Sequence, residues 1–121
     1  KMISRAYYIG TGTGGQPALF RVQLGRDPAN PSREELIQGI EDMRFLFAED
    51  TDGNRVPDVY RTANSVSDWN NVYGVRMGVL VRTPDTTPGS DGNTYEVAGF
   101  PLTKTDNYRR HTFNTVVQLR N

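Results

Sequence analysis

The sequence predicts an α+β fold that is predominantly antiparallel β. Hydrophobic residues make up 36% of the 121 residues, and the 12 glycines and 7 prolines fall between short apolar runs. Several of these runs alternate apolar and polar residues, which is typical of strands with one buried face. The length suits one hydrophobic core, so we expect a single domain over residues 1–121.

Charge and composition exclude several classes of function. Lys plus Arg and Asp plus Glu each number 14, so the net charge is zero, whereas a nucleic-acid-binding domain is usually basic. The chain has no cysteine, which excludes disulfides, zinc-thiolate sites and thiol nucleophiles. Strand-like residues follow Lys1 and Met2 almost directly, and no apolar run reaches the ~20 residues that cross a bilayer. We therefore expect an upstream segment to be missing.

The first two strands are predicted at Ser4 to Ile9 and at Ala18 to Leu24. Between them, Gly10 to Gly15 satisfies the G-x-G-x-x-G pattern of dinucleotide-binding loops. That motif requires a helix after the glycines, but here Gln16 and Pro17 lead into a strand. We interpret the glycines as the turn of a hairpin.

The middle of the chain can be interpreted as helix or as strand. A loop is expected over residues 26–32, and Ser32 and Glu35 have the spacing of a helix capping box, so a short helix is predicted to begin there. Met43 to Ala48 is predicted to be a strand. Residues 65–71 are expected to form a turn or a brief helix that buries Trp69.

Later segments carry clearer strand patterns. One face of the segment from Val75 to Arg82 carries Val75, Met77, Val79 and Val81, and the other carries Arg76, Leu80 and Arg82. The closing segment from Arg109 to Asn121 alternates in the same way, with His111, Phe113, Thr115, Val117 and Leu119 on one face. Further strands are predicted at Val59 to Thr62 and at Thr94 to Phe100. Residues 83–93 are expected to form a long loop.

An acidic loop follows the middle strand. Its oxygen-bearing side chains stand at loop positions 1, 3, 5 and 9, the alternation of calcium loops: Asp50, Asp52, Asn54 and Asp58. Val56 would supply a backbone carbonyl at position 7. However, Arg55 stands where such loops need glycine, and position 12 is Arg61 in place of glutamate. A calcium site and a plain turn rich in Asp and Asn both remain open.

No catalytic residues are predicted, and we expect that the protein is not an enzyme. His111, the single histidine, lies on the strand face of Phe113 and Val117, and no nucleophile signature accompanies it. The following carboxylates include no pair with a defined separation: Glu34, Glu35, Glu41, Asp42, Glu49 and Asp50. A polar, solvated surface accounts for them.

Three stretches of the sequence carry a resemblance to a known family: Leu36 to Met43 leading into Asp50 to Asn54, then Asp68-Trp69 through Gly74 to Met77, and finally Arg109 to Asn121. Together they resemble PilW-type minor pilins of type IV pili. Tyr7 to Ile9 and Pro17 to Arg21 also look like the family. The resemblance spans nearly the whole chain. That family is related to the J-type minor pseudopilins of type II secretion.

This resemblance implies a pilin-like globular head whose hydrophobic N-terminal helix is absent from the chain. It implies a subunit that assembles with other minor pilins and the major pilin to prime type IV pilus assembly, at the pilus tip. The location implied is the inner membrane with a periplasmic head, and later the pilus, with links to adhesion and twitching motility. The absent helix would cover one face of the sheet, so we expect an exposed apolar patch there.

Two other functions remain open. One is a minor pseudopilin of type II secretion, which would use the same fold for export. The other is a calcium-dependent adhesin or carbohydrate-binding domain that recognises a host or surface ligand.

Overall fold

The structure is a computed structural model that describes residues 4–24, 32–89 and 92–119. The described residues form three antiparallel sheets, with strand orders β1-β2-β3, β5-β4-β6-β9 and β7-β8. The strands are β1 Ser4–Thr11, β2 Pro17–Leu24, β3 Ser32–Gln38, β4 Ile40–Glu49, β5 Val59–Arg61, β6 Val72–Thr86, β7 Asn93–Val97, β8 Phe100–Lys104 and β9 Tyr108–Gln118. The predicted antiparallel β architecture is confirmed.

The first sheet contains the predicted hairpin. β1 pairs with β2, and the glycine-rich segment between them is a short 3₁₀ turn at Thr13–Gly15. The interpretation of these glycines as a turn is therefore confirmed. Residues 26–31 of the predicted loop lie outside the described part of the chain, and residue 32 begins β3.

The helix predicted to begin at Ser32 is wrong, because this segment forms β3 and pairs with β2. Cross-strand contacts explain the strand. The Arg33 guanidinium lies 4.3 Å from the centre of the Phe20 ring, and the Glu35 carboxylate accepts hydrogen bonds from Thr13 N–H and Oγ1. These long-range contacts outweigh the local capping-box signal.

Gly39 joins the first two sheets. Its N–H donates to the Pro17 carbonyl at 2.8 Å, and its own carbonyl accepts from Arg82 N–H at 2.9 Å. With φ at 94°, Gly39 adopts a conformation that other residues rarely take, so β3 passes into β4 with a single residue between them.

The second sheet carries an apolar face that the described residues leave largely uncovered, apart from Trp69 against Phe47. β4, β6 and β9 place apolar side chains opposite one another on it, and none of these side chains is buried. The apolar face consists of Met43, Phe45, Phe47, Val75, Met77, Val79, Val81, Phe113 and Val117. Phe45, Phe113 and Val117 are 38%, 58% and 49% exposed. The expected apolar patch is therefore found on this sheet.

The opposite face is covered by the β7-β8 hairpin. The sequence suggests a single strand from Thr94 to Phe100, but this is wrong, since Ala98 and Gly99 form a two-residue turn with φ of 51° and 86°. The turn lies over Gly78, where an added Cβ would stand 2.3 Å from Ala98 N. Val97, Ala98 and Leu80 are fully buried here.

Helical structure in the described residues is limited to short 3₁₀ turns, so the α part of the predicted class is not found there. Trp69 lies in one of these turns and is 54% exposed, packed edge-on to Phe47 at 4.9 Å, so its predicted burial is wrong. The loop predicted over residues 83–93 begins later, since β6 continues to Thr86, and residues 90–91 lie outside the described part. Within the described ranges, no helix has the length and apolar character that a membrane crossing needs.

Candidate functional site

The acidic loop connects β4 to β5 and brings its three carboxylates together. Asp50, Asp52 and Asp58 each offer an oxygen atom within 4.8 Å of the others. Asp50 is 1% exposed, whereas Asp52 and Asp58 face solvent. The sequence-based grouping of these three residues is therefore reproduced in space.

The Asp50 carboxylate organises the loop through backbone hydrogen bonds. Its Oδ1 accepts from the N–H groups of Asp52 and Gly53, at 3.1 and 2.9 Å, and its Oδ2 accepts from Arg55 N–H at 2.7 Å. Burial alone would raise the pKa of Asp50. The hydrogen bonds, that from Arg55 above all, outweigh burial and hold this pKa below its ordinary value.

Asn54, the fourth candidate ligand, is occupied within the loop. Its Oδ1 accepts from Val56 N–H at 2.8 Å, and its Nδ2 donates to Asp52 Oδ2 at 3.3 Å. Asp58 likewise accepts from the N–H and Oγ1 of Thr51. The loop is thus a set of Asp and Asn turns whose shape is explained by its own hydrogen bonds.

Arg55 takes the backbone conformation that calcium loops assign to glycine. Its φ is 67°, in the left-handed region, which is unfavourable for a residue with a side chain. Arg61, at loop position 12, does not take part in the loop, because its Nε lies 2.9 Å from Glu49 Oε1. The two residues that differ from the calcium-loop pattern, Arg55 and Arg61, therefore also differ from it in structure.

Glu49 anchors the base of the acidic loop, a role that the sequence did not reveal. It is 1% exposed, pairs with Arg61 on β5, and accepts from the N–H groups of Ser67 and Asp68 at 3.1 and 2.8 Å. This carboxylate fixes the segment after β5 against the end of β4. Its burial could not be read from an alternating strand pattern, because the connecting segment that covers it is irregular.

The carboxylates considered as catalytic candidates are engaged in separate structural contacts. The ion pairs are Arg21 with Glu34, Arg44 with Asp42, Arg61 with Glu49 and Arg110 with Glu41. Glu35 binds Thr13 through hydrogen bonds, which lower the pKa of Glu35. His111 is exposed and packs edge-on to Phe113 at 4.7 Å. The described residues do not bring these groups together as an acid, a base and a nucleophile.

The apolar face is a second surface feature, formed by nine side chains of β4, β6 and β9. An apolar sheet face of this extent, open to solvent, is typical of a subunit that assembles with other chains.

A comparison with protein families agrees with this class. Residues 6–121 match the family described as Type IV Pilus-assembly protein W, and the chain belongs to this family. The protein therefore has a role in type IV pilus assembly, and membership of this family indicates that it interacts with other pilus components. No curated protein and no solved structure matches the chain.

Proposed function

We propose that the chain is the pilin-like head of a minor pilin, which assembles with other minor pilins and the major pilin to prime pilus assembly at the tip. Membership of the pilus-assembly family supports the general role. The single observation that carries the finer role is the uncovered apolar face on β4, β6 and β9.

The dimensions of this face suit one helix. Adjacent strands lie ~4.8 Å apart, so the outer two of three strands are separated by ~10 Å, which is close to the diameter of an α-helix. In a pilin head the hydrophobic N-terminal helix packs on the sheet. We propose that such a helix, upstream of residue 1, covers the apolar face and anchors the protein in the inner membrane before assembly.

The energy available from this burial is considerable. Full burial of one Val, Leu, Phe or Met side chain stabilises a protein by about 1.5–3 kcal/mol. Phe45 and Phe113 retain much of their exposure, and every other member of the apolar face is at least partly exposed. Covering the face would therefore hold helix and head together strongly.

The proposal is tested in a piliated strain that lacks its own copy of the gene. Full-length protein carrying Phe45→Asp is expected to leave surface pili strongly reduced, because the charge would be buried under the helix. Leu24→Asp is the matched control, since Leu24 is 50% exposed at the end of β2 and belongs to the first sheet. Normal piliation with a stably produced Phe45→Asp protein would contradict the proposal.

The same strains separate the alternatives. A minor pseudopilin of type II secretion would lose export of secreted enzymes in the Phe45→Asp strain and retain pili. A calcium-dependent adhesin or carbohydrate-binding domain would retain pili and lose surface attachment when calcium is removed.

Calcium binding at the acidic loop is a second candidate function, favoured by the convergence of Asp50, Asp52 and Asp58. Oxygen ligands from carboxylates suit calcium. We propose a weak site in which Asp50, Asp52, Asn54 and Asp58 supply the side-chain oxygens. In this proposal, Asn54 must exchange its hydrogen bond to Val56 for the ion.

A further inference from the structure

The outer edge of β9 is an open strand edge. β9 is the last strand of the four-stranded sheet and pairs with β6 on one side, without a described strand on the other. Its pairing with β6 is regular from Arg110 to Gln118, because the one irregularity lies farther along, between Arg82 and Thr86. This is a long, uninterrupted edge.

Two hydrogen bonds show which residues of β9 point their backbone N–H and C=O groups toward β6. Leu119 N–H donates to Tyr73 O at 2.8 Å, and Arg109 N–H donates to Thr83 Oγ1 at 3.3 Å, so the odd-numbered residues face β6. In an antiparallel sheet the alternate residues point their N–H and C=O groups the other way. Thr112, Asn114, Val116 and Gln118 therefore direct theirs outward.

Soluble proteins usually protect such edges with charged residues, proline, bulges or short strands. The opposite edge of this sheet follows the rule, since β5 has 3 residues. Residues 111–119 do not follow it, because they contain no Asp, Glu, Lys, Arg, Pro or Gly. Val116, Val117 and Phe113 are 58%, 49% and 58% exposed along this segment.

We propose that two copies of this chain pair through β9, in antiparallel orientation, with Thr115 opposite Thr115 of the second copy. The partner is identified by self-complementarity. The segment is uncharged, so two copies can meet without like charges opposite one another. This inference concerns the head alone and does not depend on the proposed minor pilin role.

The register is determined by the side chains. With the pair centred on Thr115, Phe113 lies opposite Val117 of the second copy, and this pair occurs twice by symmetry. Aromatic and β-branched residues form favourable cross-strand pairs, as two threonines do. The paired segment then runs from His111 to Leu119, which keeps Arg109 and Arg110 outside it. Registers centred on Phe113 or Asn114 bring Arg110 into the paired segment.

Pairing in this register joins the sheets of the two copies into one. The odd-numbered side chains of β9 lie on the apolar face, so the apolar faces of both copies become continuous across the junction. The four outward-facing residues of each copy exchange backbone hydrogen bonds with those of the second copy. The polar backbone groups of the edge are thereby satisfied.

Single-cysteine crosslinking tests the register, because the chain has no cysteine of its own. Residues directly opposite at a non-hydrogen-bonded position have Cα atoms ~4.5 Å apart, within disulfide range. Thr115→Cys is therefore expected to form covalent dimers on mild oxidation. Phe113→Cys is expected to crosslink to Val117→Cys in a mixture, and at least tenfold less to itself. Thr105→Cys, exposed outside β9, is the control that should remain monomeric.

Sedimentation equilibrium of the unmodified chain tests the edge itself. Val116→Pro removes an outward N–H and spares the pairing with β6, so it is expected to raise the dimer dissociation constant at least tenfold. Phe45→Lys changes the apolar face away from the edge and should leave that constant unchanged. A chain that stays monomeric up to ~1 mM, a dimer lost with Phe45→Lys, or a dimer retained with Val116→Pro would each overturn the proposal. Capture of an unlike β-strand by a chain that remains monomeric would do the same.

Discussion

Arg110 on β9 and Glu41 on β4 are joined by two hydrogen bonds that span the intervening strand β6. Arg110 Nε lies 3.0 Å from Glu41 Oε1, and Nη2 lies 3.0 Å from Glu41 Oε2. The Arg110 side chain is 2% exposed and also binds Asp106, which precedes β9. Lys104 and Arg82 lie 3.4 and 3.6 Å from Glu41. This charge network, buried at Arg110 and partly exposed at Lys104 and Asp106, links β4, β6, β8 and β9.

Removing the charge of Glu41 is expected to destabilise the fold. In Glu41→Gln, Arg110 would keep Asp106 but lose its second carboxylate, and three cations would surround a neutral amide. Breaking a buried ion pair from one side costs about 3 kcal/mol or more. Urea unfolding followed by circular dichroism measures this loss.

Glu34→Gln is the matched control for that measurement. Glu34 pairs with Arg21 at the surface, where its side chain is 55% exposed, and exposed pairs contribute about 0–1 kcal/mol. Equal losses of unfolding free energy in the two variants would show that the Glu41 network stabilises the fold no more than an exposed ion pair does.

The same network predicts a loss of stability in acid. Hydrogen bonds from Arg110 lower the pKa of Asp106 from 3.8 to about 2. A carboxyl group with a depressed pKa stabilises the folded state above its unfolded pKa, and this stabilisation disappears as the pH falls through the folded value. Between about pH 4 and pH 2 the melting temperature is therefore expected to fall. Burial would raise the pKa of Glu41, but Arg110 and Lys104 outweigh it, so Glu41 acts in the same direction.

Asp106→Asn isolates the contribution of Asp106. The variant should melt at a lower temperature at pH 6, and its melting temperature should decline less steeply below pH 4. Parallel pH profiles for the variant and the unmodified protein would contradict the assignment to Asp106.

The parts of the fold that the sequence predicts well are those governed by local alternation. The strands β1, β2 and β6 show a period of two and contain the predicted residues, and β9 contains the predicted closing segment from Arg109 as far as Gln118. The segment from Ser32 failed because its capping-box spacing is a local signal, while its strand is stabilised by Phe20 and Thr13, which lie far away in sequence. Local patterns do not contain such contacts.

The acidic loop was also predictable as a loop, because Asp, Asn and Gly favour turns. Its anchoring by Glu49 and the network around Glu41 were not predictable, since both depend on pairing across strands that lie far apart in the chain. The turn at Ala98 and Gly99 was missed as well. Gly99 is a signal for a two-residue turn, although alanine at the preceding position is unusual there.

Gly78 is expected to be essential for docking the β7-β8 hairpin. A Cβ at this position would stand 2.3 Å from Ala98 N and 2.5 Å from Asn114 Oδ1, and Asn114 Oδ1 itself accepts from Ala98 N–H at 2.7 Å. Gly78→Ala must therefore displace the turn or break this hydrogen bond. Overpacking of this kind costs about 1–3 kcal/mol.

Gly74→Ala on the same strand is the control for Gly78→Ala. A Cβ at Gly74 would not approach Ala98. Its nearest neighbours would be Ala48 Cβ and Val117 O, both at 3.4 Å, which is ordinary contact. Denaturant unfolding should show a clearly larger loss for Gly78→Ala. A similar small loss in both variants would mean that the hairpin adjusts freely over β6.

Calcium binding at the acidic loop predicts a specific order of affinities. If the loop binds calcium weakly, calcium at ten times its dissociation constant should raise the melting temperature, since a ligand at that excess stabilises a protein by ~1.4 kcal/mol. Arg55→Gly should strengthen binding, because it removes a positive charge from the loop and gives position 6 the glycine that calcium loops use. Asp52→Asn should weaken it, because Asp52 is one of the three converging carboxylates. Calorimetric titration that detects no calcium binding in Arg55→Gly would show that Asp50, through its bonds to Asp52, Gly53 and Arg55, serves the fold alone.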